Sequence, residues 1–338
     1  GNINLVAAAS VDEIQIDHEQ HSTTQPADIT LTDSMLSVAN QPDSETVGNI
    51  RIRGGQVIQS GGEVAVSNRS GVDASQSGLR VQATDILLTD NAHMSSATTG
   101  TGDGGNISLL AENLVDLEQS NITVTTLSTE PGAGSGGVFL VDAATIRLHQ
   151  GTTLNAFTMG LGMGGEVKLR ATQTVDIDNS QIEFMNWGRM ANAGDGGLLD
   201  IRAGEDIHIM QSDIVALNLG TGLGGNVDLQ AGNMVLIADS YIYSLSTPTG
   251  VKNHSGDVNI VGTDILIVDS FISANTAGSG DAGLINLYAD RGVFVGGTVV
   301  DMRTSSRAAD PGQGGSIRIL ANDITLQSAT VRTESSNT

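Results

Sequence analysis

Apolar and polar residues alternate with period two in short bursts along this chain, and the bursts recur at a fixed spacing. The motif Gly-x-(Ile/Val/Leu)-x-(Leu/Ile/Val)-x-(Ala/Gly) and close variants of it occur as Ile3/Leu5/Ala7, Ile50/Ile52/Gly54, Leu79/Val81/Ala83, Ile107/Leu109/Ala111, Phe139/Val141/Ala143 and Val167/Leu169/Ala171. The series continues as Leu199/Ile201/Ala203, Val227/Leu229/Ala231, Val258/Ile260/Gly262, Ile285/Leu287/Ala289 and Ile317/Ile319/Ala321. From Gly105 to Gly315 seven intervals cover 210 residues, a mean period of 30. Each unit holds two further alternating stretches, for example Val115-Asp116-Leu117 and Ile122-Thr123-Val124. Alternation places Ile, Val and Leu on one face and Asp, Arg, Thr and Asn on the other, so each unit predicts three short strands. Turn formers such as Asp178-Asn179-Ser180 separate the strands, and a Gly-rich loop such as Gly160 to Gly165 closes the unit.

One unit buries about six apolar side chains worth roughly 1.5–3 kcal/mol each, against about 1–2 kcal/mol of backbone entropy for each of some 30 residues. It cannot fold alone. Stacking supplies the missing burial, because each inward residue packs on its counterparts above and below while strand backbones pair between units. The predicted fold is therefore all-β: a right-handed parallel β-helix, a solenoid of about eleven coils. A propeller would need antiparallel four-stranded blades and a repeat of about 40 residues.

Spacings alternate between short and long, giving a super-repeat near 60 residues, as from Gly137 to Gly197. The extra residues fall after the third strand of every second coil, at Ser128 to Pro131, Asn186 to Met190, Thr247 to Lys252 and Thr304 to Arg307. These loops are expected to line one edge. The opening interval of 47 residues, Gly1 to Gly48, predicts an irregular first coil with an insertion around Asp17 to Pro26. Residues 1–338 read as one β-helix domain cut from a longer array.

Composition narrows the function. With 38 acidic and 15 basic residues the net charge is −23, which repels a phosphate backbone and argues against nucleic acid as a partner. The absence of Cys removes disulfides and thiolate zinc sites. No run of about 18 apolar residues is present to insert this segment into a membrane.

Units such as Gly104-Gly105-Asn106-Ile107-Ser108-Leu109-Leu110-Ala111, running on through Val115-Asp116-Leu117 to Ile122-Thr123-Val124, resemble repeats of the filamentous-haemagglutinin-like exoproteins of two-partner secretion. The resemblance covers essentially the whole chain. It implies a large secreted or surface β-helix of a Gram-negative or cyanobacterial cell, exported unfolded and used for adhesion. An extracellular location and partners among cell-surface or matrix glycans and proteins are expected on the same ground, with no enzymatic activity and no cofactor. The sequence lacks a recognisable cap at either end, which raises end-to-end association into filaments.

Register lets surface columns be read from sequence. Ser108, Leu140, Lys168, Asp200, Asp228, Asn259, Asn286 and Arg318 are expected to stack outward on successive coils. Asp200 and Asp228 would lie about 5 Å apart, the separation of the carboxylates in a retaining glycosidase, and they define the alternative of a polysaccharide-active enzyme. A cross-coil ion pair between Lys168 and Asp200 is the simpler reading. A second column, Asp116, Arg147, Asp176 and His208, alternates in sign. Ser120, Ser180, Ser212, Ser240, Ser270 and Ser328 form a corner ladder without the His and Asp of a nucleophilic triad. The Gly-rich loops lack the Lys-Ser/Thr and helix of a phosphate loop and read as solvent-facing turns, with Asp103, Asp195 and Asp281 as weak calcium candidates. The binding edge is expected at the long loops, with Trp187, Arg189, Lys252, His254, Arg303 and Arg307. Asn-x-Ser/Thr sequons stand at Asn68, Asn106, Asn121 and Asn253.

Overall fold

A computed structural model describes residues 1–7, 26–74, 78–130, 132–188, 194–247, 254–308 and 311–337. Among them there is no helix, and the strands pair in parallel between coils. One first-strand column shows the stacking. Ile3 pairs with Ile50, then Leu79, Ile107, Phe139, Val167, Leu199, Val227, Val258, Ile285 and Ile317 follow in unbroken register. These are the eleven motif positions of the sequence, and the ten steps between them make a β-solenoid of about ten turns. At about 4.8 Å per step the column spans about 48 Å. The pairing of Ile3 with Ile50 shows that the long first interval still closes one turn. The insertion expected around Asp17 to Pro26 falls, apart from Pro26, on residues 8–25, outside the described ones.

The alternating pattern works as the period requires. Ile107, Val167 and Val227 are fully buried, and one apolar core runs from Val38 to Met302. In the last level that column loses its cover: Ile324, Leu326 and Val331 pair with the buried Val293, Val295 and Met302 yet are exposed.

A second interior column is polar. Asn68, Thr98, Thr126, Thr158, Asn186, Asn218, Ser246, Thr276 and Ser306 stack at the end of the third strands, all buried. The chain leaves the strand there and enters the Gly-rich segment, whose backbone also bonds from level to level, as Gly104 N donates to Ser135 O (2.9 Å) and Gly196 N to Leu223 O (2.7 Å). The column adds side-chain bonds to the same backbone: Thr126 Oγ1 donates to Ser135 O (2.9 Å), Asn218 Nδ2 to Leu223 O (2.5 Å) and Ser306 Oγ to Gly280 O (2.9 Å). In return Asn218 Oδ1 accepts from Gly220 N (2.8 Å). Such pairing is what buried backbone demands.

The Gly-rich segments are consequently solvent-facing only in part, at residues such as Thr101, Met163 and Leu223, and not throughout as expected. Gly104, Gly105, Gly164 and Gly165 are buried, and a Cβ on Gly164 would stand 2.4 Å from the nitrogen of Gly197 on the next level. Backbone packs on backbone there, which only glycine permits. The expected long loop Thr304 to Arg307 is also different, because it lies within the strand segment Leu284–Ala308.

Candidate functional site

At the corner after the second strand the serine ladder takes its place as an internal brace. Ser180 N donates to Ser212 Oγ, Ser212 N to Ser240 Oγ and Ser240 N to Ser270 Oγ, each at 3.1 Å, while each hydroxyl returns to the carbonyl two residues back. Thr152 joins the same column between Ser120 and Ser180, a member the sequence reading passed over. The residue before each corner takes a left-handed conformation, as at Asn179 (φ 45°) and Asp239 (φ 50°). Ser328 is one place out of line: Gln327 stands in register with Gly296 and Val268, so Ser328 (φ 55°) holds the left-handed position of Asp269 and Ala329 takes the place of the serine.

Both charged columns stand in the expected register. Their bonds differ. Lys168 pairs within its own strand with Glu166, not with Asp200. Asp200 is instead buried between two arginines, with Arg202 Nε donating at 2.8 Å and the Arg170 guanidinium 4.0 Å away. The hydrogen bond that Arg202 donates to Asp200 is the main cause of its raised pKa. Asp228 Oδ1 accepts from Asn259 Nδ2, and Asn259 Oδ1 accepts from Asn286 Nδ2, both at 2.8 Å. The two adjacent carboxylates are thus each engaged by a neighbour. In the second column Asp176 Oδ1 bonds His208 Nδ1 at 2.7 Å while its Oδ2 lies 3.9 Å from Arg147 Nε, and Asp116 Oδ1 bonds His149 Nε2 at 2.7 Å.

The calcium candidates share one column of the closing segment, where their carboxylates bind backbone. Asp103 Oδ1 accepts from Ser135 N (2.7 Å), Asp195 Oδ1 from Leu223 N (2.7 Å) and Asp281 Oδ1 from Gln313 N (2.6 Å). Among the described residues no three His, Cys, Asp or Glu side chains gather as metal ligands. Asn68 is buried and bonded to Asn40 and Val72, so the folded chain does not present it for modification. Asn121 is exposed, Asn106 is half-buried, and Asn253 lies outside the described residues.

Of the expected binding edge, Arg189 and Lys252 lie outside the described residues. Trp187 is 45% exposed, tilted against Phe157 at 6.3 Å, with Nε1 donating to Met185 Sδ at 3.4 Å. It follows the third strand in a column with Leu127 and Met159, both exposed. Exposed Met163 and Leu223 stand in the column of the closing segment that also holds Asp103, Asp195, Asp281 and His254. His254 Nδ1 accepts from Asp281 N at 3.0 Å. Arg307 pairs with Glu334 at 3.2 Å. Arg303 does not belong to this edge: it stands on the outer face of the third sheet, its guanidinium 4.6 Å from the ring centroid of Phe271.

That outer face holds what the sequence reading missed. Register brings Asp213, Tyr241, Phe271 and Asp301 into one column and Glu183, Val215, Tyr243, Ser273 and Arg303 into the next. The rings of Tyr241 and Tyr243 are parallel to within 6° at 5.9 Å, and Phe271 tilts against Tyr243 at 5.1 Å. Burial first, then the charges of Tyr241 and Asp213, push the Tyr243 phenol up, with Arg303 opposing. Burial and the nearby Asp213 likewise raise the Glu183 carboxyl, against a hydrogen bond from Gln181.

Compared with protein-family models, with curated proteins and with solved structures, the chain finds no match.

Proposed function

We propose that this solenoid is a structural and adhesive segment of a secreted or cell-surface protein, of the filamentous-haemagglutinin-like kind that its repeats resemble. It holds partners at the edge formed after the third strands. The observation that supports this best is the run of exposed Leu127, Met159 and Trp187 on three successive coils along that edge of an otherwise acidic rod. Solitary exposed apolar residues are ordinary, whereas aligned ones mark contact surfaces. Surface plasmon resonance of the protein over cells, matrix proteins and matrix glycans tests the reading. Trp187→Ala is expected to lower retention about tenfold. Retention unchanged in that variant would remove the edge from consideration.

End-to-end self-association of such segments is part of the same proposal, because parallel levels stack through strand edges that any further level can pair with. Electron microscopy at rising concentration should show rods lengthening end to end; short separate particles at every concentration would count against it. The enzymatic alternative rests on the adjacency of Asp200 and Asp228. Depolymerisation of a polysaccharide by the protein, lost in Asp200→Asn/Asp228→Asn with the fold intact, would replace the adhesive reading.

A further inference from the structure

We propose that the Tyr241, Tyr243 and Phe271 face of the third sheet is a binding platform for a neutral glycan, with a pyranose ring resting on Tyr241. The site lies on another face from the Trp187 edge and stands independently of it. Tyr241 is 49% exposed although it belongs to a group of three aromatic rings, an arrangement that leaves an apolar ring surface facing solvent. A sugar ring offers such a surface an apolar face of C–H bonds and carries its hydroxyls on the rim.

The polar surroundings select among ligands. Ser273 Oγ, Arg303 Nε, Arg332 Nε and Asp301 Oδ1 are buried at this face without a hydrogen-bond partner among the described residues, while Asp301 Oδ2 accepts from Arg332 at 3.3 Å. Buried polar atoms are rarely left so. Ser273 is 1% exposed and shares an outward column with Tyr243 and Arg303, so its hydroxyl sits beneath the arginine side chain. Arg303 is held there by Phe271 and by a 3.9 Å contact with Asp301, both weak interactions for a long side chain. A rotation of Arg303 uncovers an acceptor, a donor and a hydroxyl together. Hydroxyl groups both donate and accept, so a sugar satisfies this mixed set. A cationic partner would need acceptors alone and would meet Arg303. The two arginines of this face, Arg303 and its register neighbour Arg332, already pair with Asp301 and Glu334, so an acidic or sulfated glycan would have to displace these carboxylates and would meet a chain of charge −23. The rise of a coil, about 4.8 Å, is close to the length of one pyranose unit, so an extended glycan can run along the rod from Tyr241 to Phe271.

Isothermal titration of the intact protein with cellohexaose and chitohexaose tests this, with a heparin hexasaccharide and hexalysine as comparators. Binding of at least one neutral hexasaccharide is expected, weakened about tenfold by Tyr241→Ala, within about threefold of the parent in Tyr241→Phe, and unchanged in Trp187→Ala. Circular dichroism of each variant should match the parent, since Tyr241 is exposed. Absence of binding to both neutral sugars, equal binding by Tyr241→Ala, or Tyr241-dependent binding of hexalysine or heparin alone would overturn the assignment.

Discussion

Asn218 shows how much a single buried amide does here. Its side chain accepts from Gly220 N and donates to Leu223 O, so replacing it removes two hydrogen bonds that tie the third strand to the closing segment. Asn218→Ala is expected to cost about 1–3 kcal/mol, read as a lower urea midpoint. Glu183 works in the opposite sense. Its carboxyl is raised above the ordinary range by burial and by Asp213, so its proton is held more tightly in the folded chain. Its contribution to stability is fully present below the ordinary Glu value of about 4.3 and is lost as pH rises through the raised one. Glu183→Gln should therefore stabilise the protein by about 0.2–1 kcal/mol at neutral pH and have little effect near pH 4, as thermal unfolding at the two pH values would show.

At the level of the element, the closing Gly-rich segment is as much a packed layer as any strand. Gly164→Ala would drive a methyl group into the Gly197 backbone, and a loss of about 1–3 kcal/mol is expected in chemical denaturation. The strands and their register were legible in the sequence because period two marks the buried face directly, as at Ile107 and Val167. The polar column was not, since Thr126, Asn186 and Asn218 carry the same side chains as ordinary turn formers and only their stacking turns them inward. Partner choice was equally hidden: Lys168 and Asp200 are register neighbours, yet side-chain rotamers decide that Lys168 meets Glu166 and that two arginines take Asp200. The edge was partly legible through Trp187, whereas the aromatic face joins Tyr241, Phe271 and Arg303 from three successive coils and has no local signature.

For the whole molecule, the backbone bonds between levels point along the long axis, and each level touches only its neighbours. A pull applied between the two ends therefore loads one interface of bonds at a time, like a zipper. Each released level would free about 30 residues, roughly 100 Å of extended chain, and the next would hold until its own bonds gave way. Single-molecule stretching should show a train of similar steps near that length; one abrupt rupture would contradict level-by-level release. A tether built in this way yields gradually under drag and takes up load over a distance many times its resting length.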